Sequence, residues 1–148
     1  MIGKIDVSHF AGLKAGDTPA QAASVYGSTG GSLTSENGIQ GFDTPRRLLV
    51  SYHEGGADGV ALYSDELEFA RSHVGNDPLF DLFGHPKANA VAILGAPTGQ
   101  DTNNGTDLLY WYFPSGDHGR ADSILWLHKV LVLNFKPGYG CDFIKVNW

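Results

Sequence analysis

Two stretches of this chain share one design. TPAQAASVYG at 18–27 and HPKANAVAILG at 85–95 both carry Pro at the second position, run on through small and apolar residues, and close on Gly. Pro is tolerated in the first turn of a helix, where its missing N–H would be unpaired anyway, and Gly takes the left-handed conformation that ends one. Thr18 or Asp17 is positioned to cap the first helix. In the second, Pro86 opens the turn, Val91, Ala92 and Leu94 supply an apolar face, and Gly95 followed by Pro97 forbids continuation. Just upstream, NDPLFDLFG reads as a further short helix with Asp77 as its N-cap, Pro78 next and Gly84 at its end.

A polar loop follows each helix, STGGSLTSENGIQGFDTP in one half and APTGQDTNNGTD in the other, and a strand comes next, RRLLVSYH or LLYWYF. Turn-rich EGGADG and PSGDHGRADS then lead to further strand-like runs, VALY with LEFARSHV and ILWLHKVLVLNF with CDFIKVNW. Helix, strand, strand, strand thus occurs twice, with a break at 75–77. The chain has 148 residues, 42% of them hydrophobic and 20 of them Gly, which suits one compact domain of short elements and many turns. The expected fold class is α+β: two tandem repeats, 1–74 and 75–148, of short helices plus antiparallel strands, forming a curved sheet backed by helices.

Aligning Leu48-Leu49 with Leu108-Leu109 assigns faces, because alternate strand residues point to opposite sides. Leu48, Val50 and Tyr52 then match Leu108, Tyr110 and Tyr112 on the helix-covered side. The other side carries Ser51 and His53 in the first half but Trp111 and Phe113 in the second. Aromatic rings on a face whose counterpart is polar mark a binding surface.

Motifs of chemistry give little. The six histidines, at 9, 53, 73, 85, 118 and 128, include no i, i+4 pair and no Cys partner in a metal-binding spacing, so no metal or other cofactor is expected. His53-Glu54 and Asp117-His118 read as solvated turn residues. DTNNGTD at 101–107 lacks the phase of a calcium loop, and Asn104-Gly105 within it is a turn. GSTGGS and EGGADG do not stand between a strand and a helix in the manner of a phosphate loop. Neither Ser8, Ser72 nor Cys141 sits in a recognisable nucleophile context.

Charge excludes more. A formal net charge of -6 with 10 basic residues does not suit a phosphate backbone, so no nucleic acid is expected as a partner, and a basic partner fits better. Cys141 stands alone, MIGKIDVSHFAG has no apolar signal segment, and the longest apolar run is broken by Asp122, His128 and Lys129. The expectation is a cytoplasmic protein without membrane association, monomeric or dimeric when free.

The phrases GDTPAQAASVYG and HPKANAVAILGAPTG resemble the openings of the units in tandem-repeat inhibitors typified by beta-lactamase inhibitory protein, and more distantly the small outer-membrane assembly lipoproteins of the SmpA/OmlA type. Those families carry a disulfide or a lipidated Cys, which this sequence does not match. The resemblance implies an aromatic-rich sheet that grips another protein. A small acidic chain of this kind also resembles bacterial immunity proteins, which occlude a toxin's active site. The expected function is therefore a non-enzymatic inhibitor, an immunity protein for a bacterial toxin or enzyme. Trp111, Phe113 and Trp126 would be its apolar anchors, and His53, Glu66, Glu68, Asp117 and Asp122 its polar contacts. The alternative is a small enzyme or ligand-binding domain that gathers His53, His118 and nearby acids in a pocket.

Overall fold

The computed structural model describes residues 1–26, 33–36, 39–42, 48–114 and 129–148, with the backbone alone for 33–36, 39–42 and Asn103. The fold is α+β. A small hairpin, β1 (His9–Phe10) and β2 (Leu13–Lys14), turns through Ala11 at φ 54° and Gly12 at φ 78°. Helix α1 (Pro19–Tyr26) follows, opened by a reciprocal cap. The Gln21 N–H donates to Thr18 Oγ1 at 3.2 Å, while the Thr18 N–H donates to Gln21 Oε1 at 2.8 Å. Two orphan donors of the first turn are satisfied at once, so Thr18, not Asp17, is the cap.

Four strands come next: β3 (Leu33–Glu36), β4 (Ile39–Phe42), β5 (Leu48–His53) and β6 (Gly56–Tyr63). Helix α2 (Leu67–Val74), a 3-10 segment at Pro78–Leu82 and helix α3 (Lys87–Leu94) lead to β7 (Gly99–Asn103), β8 (Thr106–Tyr112), β9 (Val130–Lys136) and β10 (Gly140–Asn147). The strands form one eight-stranded sheet in the order β3-β4-β5-β6-β10-β9-β8-β7, antiparallel at every pairing. It consists of two four-strand meanders joined through their last strands.

Three readings of the sequence are corrected. LEFARSHV is α2, not a strand: Leu67, Ala70 and Val74 recur at helical spacing and pack into the core. Each meander has four strands, because β3 and β4 lie within 28–45 and β7 within 96–107, both expected to be loop. On α3 the core contacts are Ala90 and Leu94, one turn apart, whereas Val91 and Ile93 are exposed. Two other expected ends held: Asp77 caps the 3-10 segment by accepting from the Leu79 N–H, and Gly95 at φ 86° closes α3. The 3-10 segment ends at Leu82 with Phe83 as its C-cap, before the expected Gly84, and Gly27 lies outside the described residues.

Register carries the core across the sheet. Leu48, Leu62, Ile144, Leu133 and Leu109 form one cross-strand row, and Val50, Val60, Val146, Leu131 and Trp111 form the next. All ten are buried, and they share one cluster with Ala22, Tyr26, Ala70, Ala90 and Leu94 of the three helices. The hairpin contributes Phe10 and Leu13, and Phe10 meets Phe80 edge-on with ring centroids 5.9 Å apart. Trp148 fastens the far end: its indole N–H donates to the Val7 carbonyl at 2.8 Å. Among the described residues no helix is long and apolar enough to cross a membrane.

Candidate functional site on the second face of the sheet

Every described helix buries its residues into the cluster on one face. The opposite face therefore carries its own side chains, in three cross-strand rows read from the register. Leu49, Ala61, Lys145, Val132 and Tyr110 form the middle row, which ends at Gly99. Ser51, Gly59, Asn147, Val130 and Tyr112 form the second. Tyr63, Phe143, Asn134 and Leu108 form the third, which ends at Asp101.

Aromatic pairs stand at both ends of this face. Tyr110 and Tyr112, two residues apart on β8, have centroids 5.5 Å apart, and Tyr63 meets Phe143 across β6 and β10 at 4.8 Å. All four rings are half-buried, as is Leu108. Tyr110 lies across the edge strand at Gly99, where any Cβ would collide with the ring. Gly59 plays a similar part between Ser51 and Asn147, since a Cβ there would stand 2.7 Å from Asn147 Oδ1 and 2.9 Å from Ser51 Oγ. The side chains of this face are thus held by a rigid sheet and by close approach to bare backbone.

Lys145 is buried near the centre, 7% exposed. Burial lowers its ammonium below the usual lysine range, and the Asp58 carboxylate opposes that shift. Asp58 is the extra residue of a bulge in β6, where Ser51 pairs with Gly59 and Tyr52 with Ala57. A second bulge, at Asp142 in β10, aims that carboxylate toward Asn134, whose amide donates to Asp142 Oδ1 at 2.8 Å.

The residues expected to form the site are placed differently. Trp111 lies on the covered face, 3% exposed, with its indole N–H donating to the Gly95 carbonyl at 3.1 Å. Phe113 is half-buried and packs against the same core cluster. The cause is a register slip: Leu48 shares its row with Leu109, not Leu108, and a shift of one residue exchanges the two faces of a strand. Tyr110 and Tyr112 are the outward rings of β8. Glu66 is buried at 6% and is not a rim group, while Glu68 is exposed on α2 beside Arg71, Nη1 to Oε1 3.5 Å. His53 stands at the β5–β6 turn with an imidazole 76% exposed, 3.8 Å from the Glu54 carboxylate. That turn has Glu54 at φ 52° and Gly55 at φ 82°, the geometry also seen at Asn104 and Gly105, so both are simple hairpin turns. Trp126, Asp117, Asp122 and His118 lie outside the described residues.

The lone thiol is structural. Cys141 is 0% exposed, and burial pushes it up to about 12. A water-soluble disulfide reagent at mildly alkaline pH is expected to leave it unmodified in the folded protein and to label it fully in denaturant; rapid labelling of the folded protein would overturn this. Among the described residues, no group of three His, Cys, Asp or Glu side chains is placed to hold a metal ion. Compared with family models, curated proteins and solved structures, the chain has no match.

Proposed function

We propose that this chain is a binding protein that acts by contact: it sets the aromatic ends of the second face of its sheet against another protein and inhibits that protein by covering its working surface. The observation that carries the reading is the pairing of half-buried rings, Tyr110 with Tyr112 and Tyr63 with Phe143, at the two ends of a face whose centre, Ala61, Val130, Val132, Lys145 and Asn147, is itself buried. Tyrosine suits such a face, since it brings large apolar area with a hydroxyl for hydrogen bonding and loses little rotamer freedom. Asp101 at the edge and a net charge of -6 favour a partner with a basic surface. The resemblance to tandem-repeat inhibitors and to immunity proteins suggests an enzyme or toxin as that partner. The proposed repeat of 1–74 and 75–148 is supported by the order helix, then four-strand meander, in each half.

The test is capture from lysate of the source cells with immobilised protein, comparing wild type with the Tyr110→Ala, Tyr112→Ala double variant. Loss of about 2 kcal/mol or more of binding to one stoichiometric partner is expected, without a large change in melting temperature. Hydrogen exchange in the recovered complex should slow on β8, β9 and β10. A partner held equally well by the double variant would show that another surface does the binding.

A further inference from the structure

Three segments distant in sequence enclose a cleft of about 440 Å³: the start of α3, the β7–β8 turn and the β9–β10 turn. Pro86, Phe135, Pro137 and Tyr139 supply its apolar walls, and Gly105, Gly138 and Gly140 leave bare backbone between them. None of these residues belongs to the aromatic pairs of the sheet face. Clefts that hold small molecules usually measure roughly 300–1,000 Å³ and are mostly apolar with a few polar groups, and this one answers to both.

Hydrogen bonds fix its walls to one another. The Gly84 N–H donates to the Cys141 carbonyl and the Cys141 N–H to the His85 carbonyl, both at 2.9 Å, which ties the chain entering α3 to the start of β10. A Cβ at Gly140 would stand 2.6 Å from the His85 carbonyl oxygen, so glycine alone permits that approach. Lys87 Nζ donates to Asp107 Oδ2 at 2.6 Å and Thr102 Oγ1 to Asp107 Oδ1 at 3.1 Å, which joins α3 to the β7–β8 hairpin. The backbone around the cleft therefore needs no ordering on binding.

The charges of the cleft do not balance. Lys87 and Lys136 line it against one carboxylate, Asp107, and Asp107 is taken up by Lys87. Lys136 also borders a smaller cavity that Asp65 and Asp142 line, yet among the described residues it forms no ion pair. An ammonium without a paired carboxylate beside apolar walls suits a ligand that joins an anion to an apolar body. We propose that this cleft binds a small carboxylic acid with a flat apolar frame, such as an aromatic acid. The frame lies among Phe135, Tyr139 and the two prolines, and the carboxylate pairs with Lys136. Lys87 and Asp107 form a strut that holds the walls apart. The site goes beyond the proposed function and needs no protein on the sheet face.

The probe is 2-naphthoate, titrated into isotope-labelled protein while backbone amide resonances are followed, with 2-naphthamide as its uncharged counterpart. Saturable shifts at Gly105, Gly138, Tyr139 and Gly140 are expected for the acid, and the amide should bind about threefold more weakly. Lys136→Gln should bring the acid down to the level of the amide and leave the amide unchanged, while Lys136→Arg should keep the difference. Tyr139→Ala, which removes apolar wall and no charge, should weaken both probes alike. Added salt should narrow the gap between them. Equal affinity for acid and amide, or a difference that survives Lys136→Gln, would overturn the pairing of the carboxylate with Lys136. No saturable shift around the cleft would overturn the site itself.

Discussion

Trp111→Ala is expected to destabilise the fold by about 4 kcal/mol, seen as a lower midpoint in chemical denaturation, and not merely to weaken binding. The ring closes the row that runs from Val50 through Val60, Val146 and Leu131, and it is 3% exposed. Truncation leaves a cavity among side chains held in register by the strands. It also removes the donor that satisfies the Gly95 carbonyl just past the end of α3. Trp111→Phe keeps most of the apolar volume and loses the N–H, so its cost should fall to about 1–2 kcal/mol. An unchanged midpoint in the Ala variant, with partner binding lost, would put Trp111 back at the interface and reverse the assignment of faces on β8.

The second large effect concerns Asp77, which is 8% exposed and accepts two backbone hydrogen bonds. Oδ1 takes the Leu79 N–H at 2.9 Å and caps the 3-10 segment; Oδ2 takes the Ala11 N–H at 3.1 Å, across a separation of 66 residues. Ala11 sits at φ 54°, and its carbonyl accepts from the Tyr26 hydroxyl at 2.5 Å. One carboxylate thus ties the N-terminal hairpin, through Ala11, to α1 and to the segment that precedes α3. Burial, with a smaller contribution from the charge of Asp77, also raises the Tyr26 phenol above its usual range. Asp77→Ala strands two buried donors and should cost about 3 kcal/mol in denaturant unfolding, with faster amide exchange at Ala11 and Leu79. Asp77→Asn retains one acceptor oxygen, so roughly half of that loss is expected. A change below about 0.5 kcal/mol in the Ala variant would mean that water replaces the carboxylate and that the hairpin is held by Phe10 and Leu13 instead.

Much of the local structure was legible. The Pro-to-Gly grammar marked α1 and α3, NDP marked a capped turn, and Asn104-Gly105 marked a hairpin. The helix at 67–74 also had a signal, Leu67, Ala70 and Val74 at helical spacing, that reading the run as a strand passed over. The face of β8 was a different kind of problem. Leu108-Leu109-Tyr110-Trp111-Tyr112-Phe113 is apolar throughout, so it has no period-two alternation from which to read direction. The site residues moved with it, from Trp111 to Tyr110 and Tyr112. Tyr63 and Phe143 were missed because nothing local says that β6 and β10 are neighbours.

What the sequence determined by itself were the features settled within a few residues: a helix cap at Thr18 or Asp17, the end of α3 at Gly95, the Asn104-Gly105 turn and the α+β class. There the competing conformations differ in short-range hydrogen bonds and in steric limits on φ, which the residue types encode directly. The tertiary structure alone decided the pairing of β6 with β10, the side of β8 that is covered, and the burial of Glu66, Lys145 and Cys141. Those outcomes depend on the register between strands up to 88 positions apart, as where Asn147 meets Gly59, and a slip of one residue would exchange core and surface along a whole strand.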